Sequence, residues 1–407
     1  MADGRVSAGS AIAAARPRVV AALAAQLRDL DLAEDAFAEA ARALIESGAA
    51  PDRPQAWLYV TARRKAFDML RKRRAEARLL ETMGAEPDMA EVLHLPDPIP
   101  DERLRLIFIC CHPALATEAR AALALRVVCG LPVAEIARVF VMTEPAMYQR
   151  ITRAKAKIRE ARIAFELPPR RLWQERIEAV LLTLELAYTA AYQDAAGERD
   201  GELAAEIDRL AAMLAELLPG EPEILSFAAL VALARSREQA RVDARGAMVP
   251  LSRQDTALWD CAAIMRAQDL LERVNRVGGG GAMRLMAAIQ LAHARRLFDG
   301  TVDWPAIVAL YDALLAVRPD PVVAINRAAA LARAESPAAG LAALDDIPGR
   351  RLARFRPYHA VRAELLAQAG QREAAGDSLR AALSLDPPGA ERLYLEDRLE
   401  ALPELGD

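Results

Sequence analysis

Histidine and cysteine are scarce in this 407-residue chain, four of each, and their placement excludes several chemistries. His94, His112, His293 and His359 are scattered, with no H-E-x-x-H pair, and no G-x-S-x-G frames a serine. Cys110 and Cys111 are adjacent while Cys129 and Cys261 stand alone, so there is neither a disulfide framework nor a C-x-x-C pair, and a reducing cytoplasm is the expected compartment. Adjacent ligands on an apolar helix lack the spacing of a structural zinc site, which makes Cys110, Cys111 and His112 an expected packed helix end closed by Pro113. The run Gly278 to Gly281 has no following lysine and threonine and reads as a turn, not a phosphate loop. The first apolar stretch is cut by Arg16 and Arg18, fitting neither a signal peptide nor a membrane span. With no clustered nucleophile, base or ligand set, no enzyme, no cofactor and no metal is expected. Net charge is only -4, so any nucleic-acid role must come from local patches.

What is abundant is helix-forming material. Hydrophobic residues make up 54% and aromatics only 5%, with Ala, Leu, Arg and Glu plentiful, and this predicts an all-α chain of two to four domains. Over residues 11–75, apolar spacing predicts two helices between Pro17 and Ile45 broken near Asp29 to Leu32. Five acids and no base lie between Arg28 and Arg42, a solvated face or a docking face for a basic partner. A Gly/Pro loop follows, then a helix through WLYVTARRKAFDMLRKRR with eight bases between Arg53 and Arg74 against Asp68 alone. Such local charge beside aromatics is the pattern expected for nucleic acid, where phosphates supply affinity and exposed rings stack on bases. Trp57 and Tyr59 fit a stacking surface or a core equally.

Residues 76–100 are rich in Pro, Asp and Glu and predict an extended linker. Residues 101–168 predict two helices and then a pair. Val133, Ile136, Ala137 and Phe140 mark a short helix. Thr143 is an expected N-cap for a longer one whose Met147, Ile151, Ala154 and Ile158 share a face. Its opposite face is basic, as a helix-turn-helix recognition helix requires. An ordinary hairpin with solvating charges is the alternative.

The order of these parts, from acidic helix through WL-x-x-x-A-R-x-x-x-x-D-x-x-R to a terminal helix-turn-helix ending RAKAKIREA, resembles the extracytoplasmic-function group of sigma-70 RNA polymerase sigma factors. The resemblance implies core RNA polymerase and promoter DNA as partners, and no membrane. It places polymerase binding on Asp31, Glu34, Asp35 and Glu39, with Ala38 where the family has glutamine. Minus-ten recognition falls on Trp57, Arg63, Arg64, Lys65, Arg71, Lys72, Arg73 and Arg74, Arg64 standing where many members have asparagine. Minus-thirty-five recognition falls on Thr143, Glu144, Tyr148 and Gln149 at the reading end, with Arg150, Arg153, Lys155 and Lys157 behind them. FICCHPAL with RAKAKIREARIAF resembles the subgroup bearing a long C-terminal tetratricopeptide-like domain.

That domain is expected over residues 187–407. Breaks are predicted at Gly197 to Gly201, Pro219 to Pro222, Gly246 to Pro250, Gly278 to Gly281, Pro319 to Pro321, Pro348 to Gly349 and Pro387 to Gly389. Tyr311, Leu315 and Pro319 recur as Leu379, Leu383 and Pro387 at twice a 34-residue period, with Ala328 at a small crossing position. Asp243, Arg245, Asp255 and Asp260 are candidate ties between helices. Stacked helical pairs offer a concave face for a protein or peptide partner, or mere bulk. The competing reading of the whole is a tetratricopeptide adaptor or DNA-binding regulator that recruits no polymerase, for which the acidic helix would be superfluous.

Overall fold

The computed structural model describes residues 3–48, 51–80, 102–128, 130–140, 142–161, 174–193, 198–348 and 352–402. Among them the chain is all-α, with one isolated bridge between Val242 and Met248 in place of any strand. No described helix is long and apolar enough to cross a membrane. Two compact units divide the chain, Met1–Ala190 and Ala191–Asp407.

In the first unit α1 (Asp3–Leu27), α2 (Leu30–Ser47) and α3 (Pro54–Leu80) pack on one another. The break between α1 and α2 falls where the sequence predicts it. Arg28 takes a left-handed turn with φ 52°, and Asp29 caps α2 by accepting from the Leu32 amide at 3.0 Å. Helix α1 starts earlier than its predicted beginning at Pro17. It runs straight through that proline, held by burial of Ala15, Val19, Val20, Leu23 and Ala24. The acidic linker beyond Leu80, with His94, lies outside the described residues.

Helices α4 (Glu102–Cys110) and α5 (Thr117–Val127) support α6 (Val133–Val139) and α7 (Glu144–Glu160), and α8 (Gln174–Gln193) follows. Cys110 and Cys111 are core residues, 1% and 0% exposed, and burial pushes the Cys111 thiol up to about 12. Arg176 of α8 closes the end of α4 by donating to the Phe108 carbonyl at 2.9 Å.

The second unit includes α9 (Glu198–Leu217), which corrects the predicted break at Gly197 to Gly201 in part: Gly201 lies in the helix's first turn, and Gly197 lies outside the described residues. Amides there donate no intrahelical bond, so glycine disturbs little. Next, α10 (Pro222–Arg235) is buried on every side from Ile224 to Ala234 and packs against α9, α11 (Cys261–Val277) and α12 (Ala282–Ala294). Short α13 (Arg296–Asp299) leads into α14 (Trp304–Val317), α15 (Pro321–Ala334), α16 (Pro337–Asp345), α17 (Arg356–Gln368), α18 (Arg372–Ser384) and α19 (Gly389–Glu400). From α14 onward each helix packs on the next. Prolines mark starts, Pro321 at a predicted break and Pro305 and Pro337 at positions not singled out: they follow caps in which Asp320, Asp303 and Ser336 accept from Val322, Ala306 and Ala339 amides. Of the candidate ties, Arg245 reaches Asp397 on α19, whereas Asp243, Asp255 and Asp260 accept local backbone amides.

Ala328 is fully buried, as a crossing position requires, but the closest approach is made by Gly340 on α16. A Cβ there would lie 2.6 Å from Ala332 Cβ, 2.8 Å from the Ala328 carbonyl and 2.9 Å from Leu365 Cδ1. Gly340→Ala is expected to destabilise this unit by about 1–3 kcal/mol, read from the urea midpoint. Gly389→Ala, which meets nothing within 4 Å, is the control and should leave the midpoint in place or raise it slightly.

Candidate nucleic-acid interface

Helix α7 separates its two faces as its periodicity dictates. Met147, Ile151, Ala154 and Ile158 are all 5% exposed or less, packed toward α5 and α6. Thr143, Glu144, Tyr148, Gln149, Arg153 and Lys157 are exposed, Tyr148 at 55%. Thr143 occupies the N-cap in extended backbone, yet its hydroxyl makes no capping bond; Pro145 in the first turn fixes the start instead. Arg153 donates to the Gln149 side chain at 3.1 Å, and Arg150 stacks over the Phe140 ring at 5.9 Å, pinning α7 to the end of α6. This end of α7 is therefore a polar, solvated strip on a buried base.

On α3 the core stripe is Leu58, Ala62 and Ala66. Trp57, Tyr59 and Lys65 are half-buried, and Arg63, Arg64, Arg71 and Lys72 are exposed; Tyr59 reaches toward Gln26 of α1. The side chains of Arg73 and Arg74 lie outside the described residues. Two residues that composition did not mark as surface groups belong with the exposed bases: Val60 at 66% and Phe67 at 42% exposure, the latter under the Arg63 guanidinium at 5.6 Å. Their signal was positional. Val60, Arg64, Phe67 and Arg71 recur at helical spacing opposite the Leu58 stripe.

The acidic face of α2 does not stand apart from α7. Lys155 Nζ lies 3.2 Å from Asp31 Oδ1 and also pairs with Glu34, while Arg159 reaches Asp31 Oδ2 at 3.1 Å. Glu34 is paired from its other side by Arg16 of α1, whose guanidinium also donates to the Arg126 carbonyl of α5 at 3.2 Å. Side chains of Arg16, Glu34 and Lys155 are only 17%, 15% and 18% exposed. Burial raises the Glu34 pKa, but Lys155, Arg16 and Arg126 outweigh it and hold the carboxyl below its ordinary value. Burial lowers the Lys155 pKa, and Glu34 with Asp31 reverses that. Asp35 is exposed on the same helix, and Glu39 pairs with Arg42 at 2.6 Å. Two predicted sites, one acidic and one basic, are thus partly brought against each other.

Residues 105–158, which run from within α4 to near the end of α7, match the family described as Sigma-70, region 4. Residues 176–275 match a family of unknown function, DUF6596. Along nearly its full length, 96% of this chain and 95% of the relative, the sequence is 37% identical over 406 residues to the uncharacterized protein R00370 of Rhizobium meliloti (strain 1021).

Proposed function

The chain belongs to one family with the Rhizobium meliloti protein and, through its region 4, to the sigma-70 family, and from that premise we propose that it is an alternative sigma factor of the extracytoplasmic-function type. It binds core RNA polymerase through the acidic face of α2, opens the minus-ten element with α3 and reads the minus-thirty-five element with α7. The observation that carries this reading is the coincidence of the region 4 match with a helix whose apolar stripe is buried and whose Thr143, Glu144, Tyr148 and Gln149 end is solvated. Polymerase performs the chemistry; this chain supplies address and melting, in the cytoplasm. Residues 11–75 and 101–168 form the two promoter-reading modules, and residues 187–407 form a tetratricopeptide-like domain that controls them within one polypeptide.

Co-purification of the intact chain with core polymerase is the test. Wild type is expected to be retained and Asp35→Arg to lose at least tenfold in retention, because reversing a charge at an electrostatic interface replaces attraction by repulsion. Retention unaffected by Asp35→Arg would remove the polymerase face from α2. No retention of wild type would overturn the reading in favour of a DNA-binding regulator. Deleting residues 187–407 is expected to alter the strength or response of transcription; unchanged output would end the proposal of control in cis.

A further inference from the structure

The second unit contains a half-enclosed cavity of about 650 Å³, within the size range of small-molecule sites. Its walls come from distant parts of the sequence: the loop from Pro250 to Trp259, α12, α14, α15, α17 and Tyr394 of α19. The loop is fastened over it. Arg296 donates to the carbonyls of Leu251 at 3.2 Å, Ser252 at 2.8 Å and Gln254, and stacks on the Trp259 ring at 5.0 Å. This irregular segment thereby forms a fixed wall, with the loop and α19 bounding the cavity, which suits a compact ligand better than a long helix or strand.

The lining is amphipathic. Trp304 and Tyr311 of α14 supply aromatic surface, and His293 of α12 meets Trp304 edge-on at 5.4 Å. Burial and the nearby Arg237 and Arg296 charges push the imidazole down to about 4, so His293 is neutral at physiological pH and adds no charge. Of the charged lining groups, Arg296 is committed to the loop, and Glu364 is neutralised by Arg398 at 2.7 Å and Arg253 at 3.8 Å. Arg333 is different. It is exposed on α15, lines the cavity and makes no ion pair or hydrogen bond among the described residues, and Asn326, two turns earlier on the same face, likewise makes none. Trp259 is 6% exposed, also lines the cavity, and its indole N–H has no partner. Buried donors ordinarily find one. Aromatic walls with uncommitted donors and one uncommitted cation define the chemistry of the guest.

We propose that this cavity is a binding site for a small amphipathic anion, an aromatic or planar body carrying one acid group, with the acid on Arg333 and Asn326 and the body against Trp304 and Tyr311. The assignment does not depend on polymerase binding, so its failure and the failure of the sigma reading are separable.

8-Anilinonaphthalene-1-sulfonate, an aromatic monoanion, is the probe, titrated into the full chain with direct excitation of the probe. Saturable binding of one equivalent is expected. Arg333→Met should weaken it at least tenfold while leaving the thermal midpoint in place, the residue being exposed. Indole-3-acetate should displace the probe and its neutral isostere indole-3-acetamide should not, a difference that Arg333→Met abolishes. Absence of a saturable component, equal displacement by acid and amide, or indifference to Arg333→Met would each overturn the proposal. Displacement by an acidic hexapeptide but not by indole-3-acetate would overturn it in favour of a peptide groove.

Discussion

Lys155→Glu is expected to weaken the first unit by about 3 kcal/mol, more than any surface charge change normally does. Lys155 lies between Asp31 and Glu34 with 18% of its side chain exposed, so reversal does more than remove a cation. It sets three carboxylates together, with only Arg16 and the more distant Arg126 left to balance Glu34 and the exposed Arg159 left on Asp31. Breaking a buried pair costs about 3–5 kcal/mol; the lower end applies because solvent still reaches each group and screens it. Urea unfolding of wild type, Lys155→Glu, Glu34→Lys and the double swap measures the coupling. The swap should recover most of the loss, though not all, since a lysine at 34 faces Arg16. Equal midpoints for wild type and Lys155→Glu would show that the pair contributes nothing.

The pH dependence follows from the same two groups. Glu34 has its pKa held below 4.5, so its contribution is complete above that value and is lost as pH falls through the depressed one. Lys155 has its pKa raised above 10.5, so its contribution is complete below that value and is lost as pH rises through the raised one. Between those limits the pair holds. On the proposed function it also joins a polymerase-binding helix to a promoter-reading helix, so that Asp31 and Glu34 are occupied by the lysine that would otherwise grip phosphate.

Periodicity makes the amphipathic helices legible because each buries one stripe: the spacing of Met147, Ile151, Ala154 and Ile158 places them on the core face where they are found. Gly and Pro runs made several boundaries legible for a similarly local reason, as at Pro219 to Pro222, Gly278 to Gly281 and Pro319 to Pro321, where one helix gives way to the next. What remained hidden was non-local. The pairing of Lys155 with Glu34 joins residues 121 positions apart, and nothing in either segment's own pattern selects its partner. Gly340 was overlooked because its meaning lies in Ala328, Ala332 and Leu365 rather than in its own helix. Phe67 is exposed because its angular position lies away from Leu58, Ala62 and Ala66, and its residue type alone gives no sign of that. The cavity of the second unit, assembled from a loop and six helices, had no sequence signature beyond isolated aromatics.

Met147→Asp, by contrast, is expected to abolish the helix-turn-helix as a folded element, while its neighbour Tyr148→Ala should leave the fold intact and damage recognition. Met147 is 0% exposed and Tyr148 55%. A carboxylate at 147 loses its hydration without gaining a partner, a penalty of several kcal/mol even after its pKa rises. The favourable field at the N-terminal turn returns only about 0.5 kcal/mol. The missing apolar volume adds about 2–5 kcal/mol more. Stability of the order of 5–15 kcal/mol cannot absorb that sum in a small module. Circular dichroism should show lost helix and an earlier melt for Met147→Asp, with promoter binding gone in a mobility-shift assay. Tyr148→Ala deletes an exposed ring and should move stability by no more than about 0.5 kcal/mol. If the ring meets a base, discrimination between sites should fall by about 1–3 kcal/mol, roughly fivefold to 150-fold. Equal loss of helix in both variants would mean that the exposed strip is structural and that reading of DNA lies elsewhere on the chain.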